Sequence, residues 1–468
     1  MTPAVTTRMM PALIGMALGT SVLAFSVKAL ALLLAAMIGM VLAASSVAAY
    51  YALVATVPVQ VDFLGGLTVT KLLVPFSIGV VVFNALTRRG PWPVLLQGPA
   101  SYLAWSFFVV SVISVLYAEG IGQFPGEAAK VPVFASLFFF TLTFIRTPEQ
   151  FHRLLWVNAI AGTVEAVITV AQVHFGFIMP GDWRNNLGLP IEGALDGGAL
   201  TAMLEGKVRA EGTTAHPILL ASYYLMTIPC TICLFLLEEN RSKKLLLSGM
   251  VALMSYGWYY TFARSSMIGF ALMIVVALAF YSKAARVAIF MGIGLAATGF
   301  LSYQAISDTL SAGVQTIEQQ GWFASADVNS ANSSWQFRLE SIVGGWNLFL
   351  AHPWLGVGFG QALYHYTTYL PSWANHIAHP SVIHNVFLEV GSELGVFSLA
   401  AFFSLLMWAF VCAKRGLHLP TLRPYAILMC CVLAGQIAFL MITPMVREIW
   451  LTIPMAVALG HMNRKAEP

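Results

Sequence analysis

Residues 384–412 read HNVFLEVGSELGVFSLAAFFSLLMWAFVC, and they decide the fold class. Between Glu393 and Lys414 this stretch contains no charged residue, and Leu, Phe, Ala and Val dominate it. A helix needs about 20 predominantly apolar residues to cross the hydrocarbon core of a bilayer. The stretch therefore predicts a membrane-spanning helix, which His384 opens at the boundary between loop and membrane.

The composition of the whole chain resembles that of this stretch. Of its 468 residues, 59% are apolar and 9% are charged, whereas a soluble domain carries about 25% charged residues. An ordinary soluble enzyme, a disordered chain and a basic nucleic-acid-binding protein are excluded. We therefore predict an all-α polytopic membrane protein with a single transmembrane domain over residues 1–468 and no nucleic-acid partner. The five cysteines lie in or beside apolar runs and predict packing residues rather than a disulfide framework.

Apolar runs recur along the chain and predict twelve spans. They are residues 29–56, 70–86, 98–117, 130–146, 154–175, 215–237, 245–261, 265–281, 287–303, 384–412, 425–442 and 448–461, with residues 10–26 as a candidate thirteenth.

The basic residues orient these spans. Alternate short segments hold Arg88, Arg89, Arg146, Arg153, Arg241, Lys243, Lys244, Lys283, Arg286, Lys414, Arg415, Arg423, Arg464 and Lys465. By the positive-inside rule that side is cytoplasmic, so the two long loops, residues 176–214 and 304–383, lie on the outer side. The second is too long for a mere connector. Its aromatic content predicts that it packs onto the bundle, with a helix around residues 335–351.

Three arginines on the outer side need a special explanation. Arg264 occupies a tight turn in YYTFARSSMIGF, where a charge costs a few kcal/mol unless it is paired or faces water. Arg209 lies in KVRAEGTTAHP before a helix start, where exposed N–H groups favour anions, and Arg338 lies on the predicted loop helix. Taken singly, Arg264 could be an interfacial anchor, Arg209 a simple loop charge and Arg338 a residue on a solvated helix face. Together they fit an anionic lipid headgroup, because guanidinium binds phosphate oxygens in pairs.

His384 is the candidate base. A histidine at this boundary can accept a proton or orient a sugar hydroxyl near neutral pH, or it can simply be a polar cap. The spacing of His376, His379 and His384 matches no zinc pattern, so we predict no metal site. We expect Glu393 to have a supporting role by pairing with an arginine or a helix end, and we leave Glu389 outside the site.

Four segments in a fixed order resemble one family. They are VRAEGTTAHPILLASYYLMTIP, YTFARSSMIGF, RLESIVGGWNLFLAHPWLGVGFGQ and HNVFLEVGSELGVFSLAAFF. The last two resemble the hallmark of the O-antigen ligase and Wzy-type polymerase family of bacterial membrane glycosyltransferases, here at His352–Gly360 and His384–Gly395. A long outer loop separates the two parts of the hallmark, as it does in the family.

The resemblance implies a fold and a chemistry. The fold is all-helical, of the GT-C type, and needs neither metal nor cofactor. Such proteins transfer a glycan from undecaprenyl diphosphate to a sugar hydroxyl on the periplasmic face of the inner membrane. The essential histidine of the family maps to His384 in the HN dipeptide, with Asn385 beside it. The essential arginines map to Arg209, Arg264 and Arg338, which would hold the diphosphate and stabilise it as a leaving group.

Several functions remain open at this point. An O-antigen ligase joins finished polysaccharide to lipid A–core, a polymerase joins lipid-linked repeat units, and a third relative glycosylates proteins. We favour the ligase slightly. Twelve spans also fit a transporter or flippase, but that reading predicts charges at mid-membrane, where Glu165 is the only acid we place. A structural membrane protein would give no reason for Arg264 and His384.

Overall fold

The computed structural model describes residues 45–60, 62–64, 67–118, 129–175, 203–204, 207–214, 216–280, 331–370 and 382–466. Within these residues the chain forms thirteen α-helices. They are α1 (Ser46–Ala55), α2 (Val69–Leu86), α3 (Gly98–Ile113), α4 (Lys130–Phe144), α5 (Pro148–Phe175), α6 (Pro217–Leu237), α7 (Arg241–Tyr259), α8 (Arg264–Ala279), α9 (Ala331–Ala351), α10 (Ala362–His365), α11 (Val386–Arg415), α12 (Arg423–Leu440) and α13 (Ile449–Ala466). Short 3₁₀ helices cover Ser114–Leu116, Tyr366–Tyr369 and Gly416–His418.

The helical membrane architecture is confirmed. Among the described residues, five helices are long and apolar enough to cross a bilayer, namely α2, α5, α6, α11 and α12. Four shorter apolar helices, α1, α3, α4 and α8, accompany them. The helix predicted in the long loop is α9. The predicted spans 10–26 and 287–303, and most of span 29–56, lie outside the described residues.

In the described part of the chain, two small hairpins accompany the helices of this all-helical fold. Strand β1 (Asp62–Leu64) pairs with β2 (Leu67–Thr68), and β3 (Met203–Leu204) pairs with β4 (Lys207–Val208), both antiparallel. Each hairpin precedes a helix, α2 or α6. In the hairpin, backbone N–H and C=O groups form hydrogen bonds across the strand pair instead of along a helix. The strands are too short to build a layer of their own.

The helices run between two ends of the bundle. One end of the bundle, which we call the cluster end, is where α5 and α7 end and where α6, α8 and α11 begin. At the other end the ring of His152 on α5 lies 3.2 Å from the hydroxyl of Tyr425 on α12. The basic residues from which the spans were oriented, where the structure describes them, lie in turns and helix termini at this second end of the bundle. They are Arg88, Arg89, Arg146, Arg153, Arg241, Lys243, Lys244, Lys414, Arg415, Arg423 and Arg464.

The core is aromatic and aliphatic. Trp450 of α13 is fully buried and packs against Phe107 and Phe108 of α3, with ring centroids 4.9 and 4.8 Å away, and against Phe134 and Phe402. Such pairs add to the free energy gained by burying apolar surface. The five cysteines are all buried, as expected of packing residues.

α11 is broken at Gly395, and this break positions the last two sequence segments. Gly395 has φ +75° and ψ 179°, so the helix stops there and restarts at Val396. The loop after α9 enters the break: the N–H of Val396 donates to the carbonyl of Pro353 at 2.8 Å, and the N–H of Val357 donates to the carbonyl of Ser392 at 2.9 Å. The free backbone groups of the broken helix are thus paired with the loop.

We call the contact between the loop 353–360 and the break in α11 the interlock. It leaves no room for side chains at two glycines. A Cβ on Gly395 would overlap the carbonyl of Trp354, and a Cβ on Gly356 (φ +66°) would overlap the backbone of Glu393. Glycine is required at both positions, for conformation and for close approach. The two hallmark stretches are therefore two halves of one packed unit.

Candidate active site

The Arg209 segment is fastened to the turn that carries Arg264. The N–H of Ala210 donates to the carbonyl of Tyr260 at 2.9 Å, and Nε of Arg209 donates to the carbonyl of Thr261 at 3.0 Å. One guanidinium N–H is thus used for structure, and the terminal nitrogens of its fork can still bind a ligand. The two segments, more than 50 residues apart in sequence, form one surface at the cluster end.

Polar side chains of α5 hold the loop that follows Arg209. The buried carboxylate of Glu165 accepts from the N–H of Thr213 at 2.8 Å and from its hydroxyl. Two turns later, Gln172 accepts from the N–H of Gly212 at 2.8 Å and donates to the carbonyl of the same residue at 2.9 Å. Glu165 and Gln172 are seven residues apart and share one helix face. They hold the loop rigidly and thereby position Arg209 before it and His216 after it.

Arg264 is the first residue of α8. The chain reaches it through Phe262, which has φ +46°, a conformation that non-glycine residues rarely adopt. Such strain persists only where the surroundings enforce it; here the carbonyls of Tyr260 and Thr261 are held by the Arg209 segment. The side chain of Arg264 is exposed, at the positive end of a helix dipole.

Arg338 and His384 are brought together by α9. The hydroxyl of Ser341 accepts from the backbone N–H of His384 at 2.8 Å. Arg338 lies three residues before Ser341, on the same helix face. Further along that face, a Cβ on Gly345 would lie 2.9 Å from the side chain of Ile383. The predicted loop helix therefore packs directly against the start of α11.

The three arginines are electrostatic neighbours. Burial lowers the pKa of Arg209 first, and the charges of Arg338 and Arg264 lower it further. Burial likewise lowers the pKa of Arg338, with the charge of Arg264 as the second cause. We call Arg209, Arg264 and Arg338 the arginine cluster: three mutually repelling cations that a ligand with two or more negative charges would relieve.

His384 is neutral beside this cluster. Burial lowers the pKa of His384 to about 3, and the charge of Arg338 and then His216 add to the effect. A neutral imidazole can accept a proton, and a bound anion that offsets Arg338 would raise its pKa and strengthen it as a base.

The other two predicted residues organise the start of α11. Asn385 is the N-cap: its side chain accepts from the N–H groups of Phe387 and Leu388, both at 3.0 Å, and donates to the carbonyl of Met441 at 2.9 Å. The carboxylate of Glu393 accepts from the N–H groups of Gly360 at 2.8 Å and Ala362 at 3.3 Å. It therefore stabilises the start of α10 and the interlock.

Some residues of the site had no clear sequence signal. His216 caps α6, accepting from the N–H of Ile218 at 3.1 Å, and lies near His384; the motif TTAHP contained it, but nothing linked it to residue 384. Ser341 is one of many serines. Glu389 accepts from the N–H of Met445 at 2.7 Å and fastens α11 to the segment before α13. A pairing across distant segments leaves no local pattern.

A scan against family models matches residues 249–403 to Wzy_C, described as O-antigen ligase. This segment is similar to the Wzy_C family model. It begins within α7, ends within α11, and contains Arg264, Arg338, His384 and Glu393, whereas Arg209 lies before it. A search of the curated proteins found no significant match. Members of the Wzy_C family are polytopic membrane enzymes of the glycosyltransferase kind, with O-antigen ligase- or polymerase-type glycan transfer.

Proposed function

We propose that this protein is an O-antigen ligase-like glycosyltransferase. It transfers a glycan from undecaprenyl diphosphate to a sugar hydroxyl, with lipid A–core as acceptor, on the periplasmic face of the bacterial inner membrane. The observation that carries the proposal is the convergence of the arginine cluster and the neutral His384 at the end of the bundle opposite the basic turns. The Wzy_C match supports the reaction class.

The proposed reaction is a direct displacement. The acceptor hydroxyl oxygen attacks the anomeric carbon of the donor sugar, and the bond from that carbon to the diphosphate oxygen breaks. His384 takes the hydroxyl proton, and the departing diphosphate takes the bonding electron pair. Attack opposite the leaving group inverts the anomeric configuration. Negative charge that develops on the diphosphate is stabilised by Arg209, Arg264 and Arg338, without a requirement for metal.

The proposed topology completes this picture. Twelve spans in a GT-C arrangement place the loop 304–383 over the site, and α9 with its contact to His384 supports this placement. A membrane-embedded donor would then present its diphosphate to the arginine cluster at the interface, while the acceptor approaches from the outer side.

The test is a transfer assay with purified protein and lipid-linked oligosaccharide, with and without lipid A–core. Ligase activity requires product only when lipid A–core is present; a ladder of longer glycans from donor alone would show a polymerase instead. We expect His384→Ala to lower kcat by about 10²- to 10⁴-fold, the usual contribution of a general base, at normal membrane levels. His418→Ala, an exposed histidine at the other end of the bundle, is the matched control. Transfer at the wild-type rate by His384→Ala would refute the mechanism.

A further inference from the structure

Five rings form a continuous surface next to the arginine cluster. His174 stacks on Tyr256 at 5.9 Å and 19°, and Tyr256 lies 4.9 Å from Tyr260. Tyr259 lies 5.3 Å from Tyr260 and 5.4 Å from Phe262. We call these five residues the ring platform. His174, Tyr256 and Tyr259 are exposed, and neither the displacement reaction nor the packing of the core uses them.

The platform and the cluster share one turn. The carbonyl of Tyr260 accepts from Ala210, and that of Thr261 accepts from Arg209. Phe262 precedes Arg264 by two residues, so their Cα atoms lie at most about 7 Å apart. When these arginines hold a diphosphate, the group attached to it therefore lies within about the length of one sugar ring of the platform.

The polar atoms of the platform distinguish it from a purely apolar surface. The ring nitrogen Nε2 of His174 and the hydroxyl of Tyr256 are 2.5 Å apart, and that hydroxyl donates to the hydroxyl of Tyr260 at 3.3 Å. Ring faces with hydrogen-bonding groups at their edges match a pyranose, whose C–H face is apolar and whose hydroxyls lie around its rim. An isoprenoid chain has no group that could form a further hydrogen bond with those polar atoms.

We propose that the ring platform binds the donor glycan, at the sugars nearest the diphosphate. The inference rests on the proposed function, because it takes the ligand of the arginine cluster to be a glycan diphosphate. It makes the strained Phe262 part of a binding surface: the backbone that presents Arg264 also presents a ring to the glycan.

The test compares two lipids in binding to the full-length protein in nanodiscs. The probes are undecaprenyl diphosphate with and without its glycan. Wild type should bind the glycan-bearing lipid more tightly, and Tyr256→Leu and Tyr259→Leu should each weaken that binding by about 5-fold, the size of one aromatic contact. Binding of the glycan-free lipid should change less than about 2-fold. Tyr102→Leu is the control, since Tyr102 is as exposed as Tyr259 (59% and 56%) but lies near the start of α3, at the other end of the bundle.

Other results would overturn the proposal. Equal loss for both lipids would assign the rings to the prenyl chain, and unchanged binding in both variants would make them a membrane-interface belt. A lower thermal midpoint of either leucine variant would show that the ring has a structural role. Tyr256→Phe keeps the ring and removes only the hydroxyl, so it distinguishes loss of the ring from loss of the hydrogen bonds. The proposed function fails differently: no glycan transfer occurs, while the difference in binding between the two lipids persists.

Discussion

The interlock and the arginine cluster are built on opposite physical principles. In the interlock, the loop 353–360 and the break in α11 meet through backbone hydrogen bonds, with no space for a Cβ at Gly356 or Gly395. In the cluster, like charges are held close together: besides burial, the charges of Arg338 and Arg264 lower the pKa of Arg209, and the charge of Arg264 lowers the pKa of Arg338. The first arrangement is held by hydrogen bonds within the protein, and the second gathers positive charge at a place where an anionic ligand can bind. Substitutions should therefore affect folding in the first region and binding in the second.

The largest effect is expected at the break of α11. Gly395→Ala combines a φ of +75° with overlap against the carbonyl of Trp354, so we expect a loss of more than about 4 kcal/mol and little folded protein. The measurement is the yield and thermal midpoint of purified protein. Gly79→Ala is the control, because a Cβ there meets nothing within 4 Å. A normally folded Gly395→Ala variant would show that the two hallmark stretches do not interlock as described.

Arg338 offers the sharpest contrast with the glycines. Arg338→Met removes one of three repelling charges, so the ligand-free protein should gain thermal stability while transfer falls by about 100-fold. Arg338→Lys should lose nearly as much activity, because lysine keeps the charge but lacks the planar fork. Arg423→Lys, an exposed arginine at the other end of the bundle, serves as control. A destabilised Arg338→Met variant would contradict the assignment of the cluster as strained without its ligand.

Glu165 tests whether the loop between Arg209 and His216 positions the arginine cluster. Glu165→Gln keeps one acceptor for Thr213 and loses the other, which should raise the KM for the donor about 3- to 10-fold, with kcat nearly unchanged. Glu165→Asp retains the carboxylate on a side chain that is one methylene shorter, so it should recover part of the affinity for the donor. Glu149→Gln, exposed at the opposite end, should change neither constant. A fall in kcat alone would instead assign Glu165 to the chemistry.

The pH dependence should show the smallest effect. His384 must be neutral to accept a proton, so activity falls as pH decreases through its pKa. Because that pKa is about 3 in the free protein, kcat/KM should show no acid limb from His384 between pH 5 and 8, where an ordinary histidine would give one near 6.5. A bound diphosphate offsets Arg338 and raises the pKa, so the acid limb of kcat should lie at higher pH than that of kcat/KM. Coincident limbs would show that the anion does not approach His384.

The sequence pointed to individual candidate residues but not to their arrangement. Arg264 and His384 were conspicuous because charged and titratable groups are costly beside a membrane. Glu393 was expected to support the structure, but its partners, the N–H groups of Gly360 and Ala362, belong to another segment. The two hairpins had no sequence signal, because strands of two or three residues carry no periodicity.

The sequence by itself determined the helical membrane architecture, the clustering of basic residues in alternate turns and the family resemblance, because these depend on composition and on local order along the chain. The tertiary structure decided which charges meet. It placed Arg209 on the Arg264 turn, His384 against Ser341, and His216 beside His384. It also converted one predicted span into a broken helix at Gly395. Contacts between residues distant in sequence are set by packing, and no local pattern encodes them.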